Sequence, residues 1–202
     1  MKLLHIDSSI LGDSSASRHV SAAAVAQFRK KDPSVEVISL DLASDPLPHL
    51  DVEALSWLGK ELTPDVSGRP ELIAGANALK DFKAADIVVI GVPMYNLSIP
   101  SQLKAWIDRI MVAGQTFRYT SGGGIEGLAK GKKIVLAVAR GGLYGEGSPA
   151  ASFEHQLSYL KSVFAMIGIT DLTVIEAEGL ATNGGADRAR ILSDAEQKAS
   201  AL

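Results

Sequence analysis

Asp86–Val92 reads DIVVIGV and Lys133–Ala139 reads KIVLAVA, and these two stretches decide the fold. Both are rich in β-branched residues and nearly continuous in apolar character, which is typical of strands buried on both faces of a parallel sheet. Lys2–Ile6 repeats the pattern at the start of the chain, and Val35–Leu40 and Leu172–Ala177 are weaker versions of it. The sequence therefore predicts a sheet of five parallel strands.

Helical patterns alternate with these strands. They cover Val20–Phe28, Pro100–Met111, Phe153–Ile167 and Ala186–Ala199. This alternation predicts an α/β fold, a doubly wound parallel sheet with helices on both faces, in one domain over residues 1–202. Two stretches interrupt the alternation: Pro46–Asp81 predicts one or two extra helices, and Gly114–Gly131 predicts a short hairpin.

Composition excludes several classes of function. The net charge is −3 and only 5% of residues are aromatic, whereas nucleic-acid binding requires clustered positive charge. The chain has no cysteine, which excludes disulfides, thiol nucleophiles and thiolate metal sites. The apolar run Ile87–Met94 is far shorter than a membrane span, and His5 and Asp7 interrupt the apolar start of the chain. We expect a cytoplasmic protein with no nucleic-acid partner, membrane contact or metal.

Ligands of open parallel sheets bind beyond the carboxyl ends of the strands, so the loop after each strong strand is a candidate ligand site. The first loop, Asp7–Arg18, reads DSSILGDSSASR and leads into a helix. Its hydroxyls and the free N–H groups of the helix start suit a phosphate monoester, although the same serines could only cap the helix. The loop lacks the glycines and lysine of a Walker A motif.

Two further loops complete the set. Pro93–Pro100 reads PMYNLSIP, a stretch stiffened by proline whose Met, Tyr and Asn could line a planar heterocycle. Arg140–Gly147 reads RGGLYGEG, whose glycines permit close backbone approach to a ligand. Alternatively, the Met and Tyr of the first stretch could only fill the core under a turn, and the glycine-rich stretch could be a flexible surface loop. Together the three loops indicate a mononucleotide that carries a planar ring.

Other motifs carry less weight. The GxGxxG match at Gly122, Gly124 and Gly127 does not follow a buried strand and opens no convincing helix, so we do not take it as a nucleotide site. His5 and His155 are expected in a strand and in a helix and receive no role.

The chain resembles the bacterial FMN-dependent NADH–azoreductases, flavodoxin-like relatives of the quinone-reducing DT-diaphorases. Ser9 and the serines at 15 and 17 carry this resemblance, together with VPMYNLSIPSQLKAWIDRI at 92–110, AGQTFRYT at 113–120 and ARGG at 139–142. It implies an FMN-dependent oxidoreductase that passes two electrons from NADH or NADPH to quinones or azo compounds by ping-pong hydride transfer. It also implies a homodimer whose subunits share the acceptor pocket.

The resemblance further implies the site residues. The FMN phosphate would contact Ser9, Ser15, Ala16 and Ser17. The ring would contact Met94, Tyr95, Asn96 and Leu97, with Ala139, Arg140, Gly141 and Gly142 along its pyrimidine side. Tyr144, where some relatives have histidine, would lie at the ring edge. Acceptor contacts would come from Asn96, Phe117 and Tyr119, and no side chain is assigned as a catalytic acid because the flavin carries the chemistry.

Two other readings stay open at this point. An electron-carrier flavoprotein would typically be more acidic, with aromatic side chains around the ring. A hydrolase or phosphatase would need a nucleophile with its base, and the chain has neither cysteine nor a GxSxG elbow. Direct oxidation of NADH and a visible flavin spectrum distinguish these classes.

Overall fold

A five-stranded parallel sheet forms the centre of the computed structural model, which describes residues 1–60 and 68–202. Its strand order is β2-β1-β3-β6-β7, and β4 and β5 form a separate antiparallel hairpin. The strands are β1 (Lys2–Asp7), β2 (Glu36–Asp41), β3 (Ile87–Pro93), β4 (Phe117–Tyr119), β5 (Ile125–Gly127), β6 (Lys133–Ala139) and β7 (Asp171–Ala177). The predicted doubly wound α/β fold is confirmed.

Burial explains why some strands were easier to predict than others. Every residue of β3 is buried, and in β6 only Lys133 is partly exposed. The edge strands β2 and β7 are half-exposed and therefore carry polar residues in their sequences. Central strands of a parallel sheet are covered by helices on both faces, and this is the physical origin of their continuous apolar runs.

Helices cover both faces of the sheet, as predicted. They are α1 (Ala16–Lys31), α2 (Val52–Trp57), α3 (Pro70–Ala84), α4 (Ser101–Ile110), α5 (Leu157–Met166) and α6 (Arg188–Ser200). Helices α1 and α6 enclose one apolar core with the sheet, and α3, α4 and α5 enclose the other. Helix α2 and the first part of α3 confirm the extra helices predicted within Pro46–Asp81, of which residues 61–67 lie outside the described residues. Across the described ranges no helix is both long and apolar enough to cross a bilayer.

The helix expected from Phe153 begins later than predicted. Phe153 lies in a short 3-10 turn and is 53% exposed, and His155 lies in the connection before α5. The reason is the carboxylate of Glu154, which caps the start of α5. It accepts hydrogen bonds from the backbone N–H groups of Gln156, Leu157 and Ser158. The placement of His155 in a helix was therefore wrong, whereas His5 lies in β1 as predicted.

The predicted hairpin within Gly114–Gly131 is confirmed, and it explains the last glycine of the GxGxxG match. A Cβ atom at Gly127 would overlap the backbone of Ile167 and Gly168, so glycine lets β5 lie directly against the end of α5. Gly168 itself has a φ of 90°. Gly127 therefore has a structural role, because it permits close packing of two backbone segments.

Candidate functional site

A cavity of about 190 Å³ opens at the carboxyl edge of the sheet, next to the ends of β1, β3 and β6. This is the topological switch point of the fold, where β1 and β3 lie side by side. The three loops predicted from the sequence all contribute to its wall. The lining residues are Ser9, Leu11, Ser15, Ala16, Ser17, Pro93, Met94, Tyr95, Ala139, Arg140, Gly141, Leu180, Ala181 and Arg188.

The serine loop, residues 8–17, supplies hydrogen-bond donors at the start of α1. The side chains of Ser9, Ser15 and Ser17 are buried, and the Oγ atoms of Ser15 and Ser17 are 3.1 Å apart. Ser15 caps α1 by accepting a hydrogen bond from the N–H of Arg18 at 3.4 Å. The N–H groups of Ala16 and Ser17 have no acceptor among the described residues. Hydroxyls and free N–H groups at a helix start fit a phosphate group.

An ion pair holds this loop from behind. Arg18 donates to both carboxylate oxygens of Asp41, at 2.9 and 2.6 Å, and to the carbonyl oxygen of Ser9 at 2.8 Å. The hydrogen bonds and charge of Arg18 lower the pKa of Asp41 to about 2. Because its guanidinium is occupied by Asp41 and the Ser9 carbonyl, Arg18 acts as a support for the loop.

A glycine in β3 allows α1 to lie close to the strand ends. A Cβ atom at Gly91 would overlap Oδ1 of Asp7 and would lie 3.2 Å from the carbonyl oxygen of Ser17. Asp7 accepts a hydrogen bond from Ser21 at 2.9 Å, and His5 Nε2 is 3.4 Å from Asp7 Oδ2. Burial raises the pKa of Asp7 and lowers the pKa of His5, with each group partly offsetting the other's shift.

The loop after β3 contains a tight turn with unusual backbone geometry. Tyr95 and Ser98 exchange two backbone hydrogen bonds, at 2.9 and 3.1 Å, and the two residues between them have positive φ. Asn96 has a φ of 48° and Leu97 a φ of 72°. The left-handed region is uncommon for leucine, and such strain, on the order of 1–3 kcal/mol, clusters at functional sites.

Tyr95 connects this turn to the serine loop. Its hydroxyl lies 3.3 Å from Ser9 Oγ and accepts a hydrogen bond from the N–H of Ile10 at 3.2 Å. Tyr95 also lines a second cavity of about 590 Å³, which includes Asn96 and Ile99. Of the four residues predicted to contact the ring, Met94 and Tyr95 lie in the first cavity and Asn96 in the second, while Leu97 lines neither.

The glycine loop, residues 140–147, presents backbone donors. The carbonyl oxygens of Gly141 and Gly142 accept hydrogen bonds from Ala181 and Gly179, at 2.9 and 3.0 Å. Their N–H groups have no acceptor within the part of the chain that the structure describes. A Cβ atom at Gly142 would lie 3.1 Å from the ring of Tyr144, so this tyrosine folds back over the glycine.

The side chain of Arg140 turns away from the cavity that its backbone lines. Its backbone lines the cavity beside Ala139, but its guanidinium is only 1% exposed and takes no part in the cavity wall. The guanidinium instead bonds to one amide and three carboxylates. Its partners are Gln156 at 2.9 Å, Glu154 at 3.1 Å, Glu176 at 3.1 Å and Glu178 at 2.7 Å. A direct contact between this side chain and a flavin is therefore not supported.

The Arg140 network joins three loops of the site. Gln156 donates to the carbonyl oxygen of Val92 at 2.9 Å, shortly before the tight turn at Tyr95–Ser98. Glu178 accepts hydrogen bonds from the N–H groups of Tyr144 and Gly145, at 2.8 and 3.3 Å. Burial works against ionisation of Glu154, but the N–H groups at the start of α5 and the charge of Arg140 outweigh it and lower its pKa.

The predicted acceptor contacts Phe117 and Tyr119 differ in exposure. Phe117 is 7% exposed and belongs to the apolar core, so its ring offers little surface to an acceptor. Tyr119 is 68% exposed and packs edge-on against Phe117, with ring centroids 5.5 Å apart. The alternation of a β-strand turns these two side chains in the same direction, but only the outer one is accessible. Neither residue lines the two cavities described above.

A fourth loop of the site was not predicted from the sequence. The connection from β7 to α6 contributes Leu180 and Ala181 to the first cavity, and Arg188 follows at the start of α6. The three predicted loops follow strong strands, whereas this one follows an edge strand with a weak pattern. The rule that ligands bind beyond the ends of strands applies to β7 as well and could have found it.

Comparisons with known proteins agree with this architecture. The family model Flavodoxin_2, described as a flavodoxin-like fold, matches residues 1–202. A protein of Gluconobacter oxydans named FMN-dependent NADH:quinone oxidoreductase is 99% identical over 100% of both chains. One of the same name from Methylorubrum extorquens is 54% identical over 100% of this chain and 98% of its own.

Solved structures share this fold, and one of them contains FMN. An azoreductase from Bacillus anthracis is 30% identical, with a TM-score of 0.87 over 100% of this chain and 97% of the other. An FMN-dependent NADH-azoreductase from the same species, solved in complex with FMN, is 29% identical with a TM-score of 0.84, covering 99% of this chain and 96% of the other. The resemblance inferred from the sequence is confirmed, and the chain belongs to the Flavodoxin_2 family of flavodoxin-like proteins.

Proposed function

We propose that this chain is an FMN-dependent NADH:quinone oxidoreductase, with one FMN-binding domain over residues 1–202. The observation that carries the proposal is the convergence of three loops on one cavity, with buried hydroxyls at one end and free backbone N–H groups at the other. The names of its relatives, which specify FMN, NADH and quinone, support the same activity.

The residues at the cavity fit FMN in a defined orientation. Ser9, Ser15 and Ser17 would hold the phosphate together with the N–H groups of Ala16 and Ser17. Gly91 leaves the space that brings α1 close to the strand ends. Met94, Tyr95, Asn96 and Leu97 would line the ring on one side, and Ala139, the Arg140 backbone, Gly141, Gly142 and Tyr144 would line its pyrimidine side. The bound flavin supplies two-electron hydride chemistry.

The protein's contribution is orientation and fixed donors. The N–H groups of Gly141 and Gly142 would lie at the ring edge where negative charge develops on reduction, and preorganised donors stabilise such charge. NADH would be the electron donor and would leave before the acceptor binds in its place, an order of binding that predicts ping-pong kinetics. Asn96, Tyr119 and Tyr144 would contact substrate and need not transfer a proton.

The acceptors are small quinones and azo compounds, and we propose a cytoplasmic homodimer. Apolar side chains that are exposed near the site support an interface. They are Ile10, Leu11, Leu97, Leu143 and Phe153. Val52 and Leu55, 86% and 59% exposed, add apolar surface from the stretch Pro46–Asp81. Contiguous exposed apolar surface commonly marks an interface.

A spectrum and a kinetic assay test the activity. The purified chain should be yellow, and mass spectrometry of its heat-released chromophore should give FMN. NADH oxidation with benzoquinone should give parallel lines in double-reciprocal plots. A chain that binds no flavin after incubation with FMN, or that binds FMN but fails to oxidise NADH, would overturn the proposal, and the second outcome would favour an electron carrier.

Light scattering tests the assembly separately. The holoprotein should elute at twice the chain mass at micromolar concentration. A monomer with full activity would refute an acceptor pocket shared between subunits while leaving the flavin chemistry intact.

A further inference from the structure

The cavity at the strand ends contains two arginines with opposite surroundings. Arg140 is enclosed by Glu154, Glu176 and Glu178, so its charge is already compensated. Arg188 is half-buried at the first residue of α6, and Nη2 donates to the carbonyl oxygen of Ser14 at 3.0 Å. Within residues 1–60 and 68–202 no carboxylate forms an ion pair with it. Arg188 therefore brings an uncompensated positive charge to the cavity wall.

The β7–α6 connection fixes Arg188 at this place. Three successive N–H groups of the connection bond to the glycine loop. The pairs are Gly179 to the carbonyl of Gly142, Leu180 to that of Arg140 and Ala181 to that of Gly141. The chain then reverses through Asn183, Gly184 and Gly185, whose φ values are 51°, 65° and 82°. Helix α6 packs beside α1 on the same face of the sheet, so both helix N-termini lie at the same edge.

We propose that Arg188 recognises the phosphate of FMN and makes the site selective for the phosphorylated flavin. This inference rests on the proposed function. A phosphate monoester carries a charge of about −1.5 to −2 near pH 7. The α1 N-terminus supplies only about half a positive charge, and the serine hydroxyls supply none. Without Arg188, most of the phosphate charge would lie uncompensated in a largely buried pocket.

The geometry allows the contact with little rearrangement. Ser14, the carbonyl partner of Arg188, directly precedes Ser15, and Ser15 and Ser17 line the same cavity as Arg188. A guanidinium has five N–H donors, and one is used by the Ser14 carbonyl, which leaves others for phosphate oxygens. The same contact ties the cap of α1 to the start of α6, across 174 residues of sequence.

Riboflavin isolates the phosphate contact because it keeps the ring and lacks the phosphate. Kd values for FMN and riboflavin are measured by titration calorimetry on the full chain, for the wild type and Arg188→Gln. The variant should bind FMN about tenfold more weakly, a change of about 1.4 kcal/mol, and riboflavin within a factor of about two. The wild-type affinity for FMN should also fall with added salt, and less so in the variant.

Arg190→Gln is the matched control. Arg190 lies about half a turn after Arg188 in α6 and is paired with Asp187 and Asp194. It is not part of the cavity wall, so Arg190→Gln should change neither the Kd for FMN nor the Kd for riboflavin. Arg188→Lys, which keeps the charge, should retain part of the preference for FMN and guards against a folding defect in Arg188→Gln.

Three results would overturn the inference. Equal weakening of FMN and riboflavin by Arg188→Gln would show that the arginine only supports the loop, and unchanged FMN affinity would show no role at all. A fall in FMN affinity of the same size in Arg190→Gln would reduce the effect to general helix charge. A wild-type chain that binds neither flavin would refute the proposed function itself, and this outcome is distinct from the other three.

Discussion

The serine loop and the glycine loop face the same cavity but are built by opposite means. The serine loop directs buried hydroxyls and helix-start N–H groups at the ligand, and Arg188 beside it has no carboxylate partner among the described residues. The glycine loop offers backbone alone, and behind it three glutamates surround Arg140. One end thus suits an anionic group and the other a flat ring edge that must be approached closely.

Each loop is nevertheless held by an arginine that does not face the ligand. Arg18 binds Asp41 and the Ser9 carbonyl, and Arg140 binds carboxylates and Gln156. The difference lies in burial: the Arg18 side chain is 19% exposed and that of Arg140 is 1% exposed. An arginine within a ligand motif can therefore hold its loop in place without contacting the ligand. We expect the two arginines to contribute different amounts to the free energy of unfolding.

The largest effect is expected from Arg140→Met. It leaves Glu154 and Glu178 without their cation in a mostly buried place, and breaking such pairs costs about 3 kcal/mol or more. Arg18→Met should cost less because its site is more exposed. Urea unfolding at pH 7 measures both. Equal losses in the two variants would contradict the contrast between the loops.

The pH dependence of the Arg140→Met effect follows from Glu154. Because the folded-state pKa of Glu154 is lowered, its ionised form stabilises the fold fully above its ordinary value of 4.5, and this contribution is lost as the pH falls through the lowered value. The stability gap between wild type and variant should therefore narrow below about pH 4. A stability gap that is constant from pH 7 to pH 3 would argue against the unpaired carboxylates as its cause.

The next largest effect concerns the serine loop. Ser17→Asp places a negative charge against the phosphate and should raise the Kd for FMN about 100-fold, well within the Coulomb energy of two charges about 4 Å apart. Because Ser17 is buried, the new carboxylate also carries a desolvation cost, so urea unfolding of the variant is measured beside its Kd. Ser17→Asn is the neutral control of similar size. A loss of FMN affinity in Ser17→Asn as large as in Ser17→Asp would mean that shape, not charge, matters there.

The sequence predicted the fold and most of the cavity wall. Buried strands β3 and β6 have unmistakable apolar runs, and ligand loops must follow them, so Ser15, Met94 and Gly141 could be located without coordinates. The direction of the Arg140 side chain and the burial of Phe117 could not be predicted from the sequence. Whether a side chain beside a site turns toward the ligand depends on distant partners such as Glu178, and periodicity carries no information about them.

Arg188 shows the second limit of sequence reasoning. It stands 171 residues after Ser17 along the chain, yet both line one cavity because α6 lies beside α1. Side chains of a helix start are placed by the whole topology, and a weak edge strand gave no reason to inspect this connection. The turn at Asn96 and Leu97 was expected to be stiff, but its left-handed geometry was not predicted, because asparagine favours that region only weakly and leucine rarely adopts it.

A smaller effect is expected at the glycine loop. Gly142→Pro removes one N–H near the reduced ring edge and should lower the two-electron midpoint potential of bound FMN by about 30 mV, equivalent to one charge-assisted hydrogen bond of about 1.5 kcal/mol. Gly142→Ala keeps the N–H, and its Cβ would only press on the tip of the Tyr144 side chain at 3.1 Å. Anaerobic spectroscopic titration measures both potentials. Equal shifts of the midpoint potential in the two variants would mean that added side-chain bulk at position 142, and not the lost N–H, causes the change.

The smallest effect is expected behind the serine loop, at Asp41→Asn. Arg18 lowers the pKa of Asp41 from 3.8 to about 2, but the carboxylate is 36% exposed, so solvent screening reduces its contribution. We expect a loss of about 1 kcal/mol at pH 7. Because the folded pKa is depressed, the contribution is complete above the ordinary value and disappears as the pH falls from about 4 to about 2.

FMN affinity connects this pair to the site. Loss of the carboxylate frees Arg18 from Asp41, so its hold on the Ser9 carbonyl weakens, and the Kd for FMN should rise by a factor of about three, well below that of Ser17→Asp. Asp45→Asn, on the same connection and without an ion pair among the described residues, is the control. A loss of stability in Asp41→Asn as large as in Arg140→Met would contradict the difference in burial between the two arginines. An effect of Asp41→Asn that persisted unchanged at pH 2.5 would contradict the ionised Asp41 carboxylate as its cause. A rise in Kd without any loss of stability would instead mean that Asp41 orders the serine loop only when the phosphate is bound.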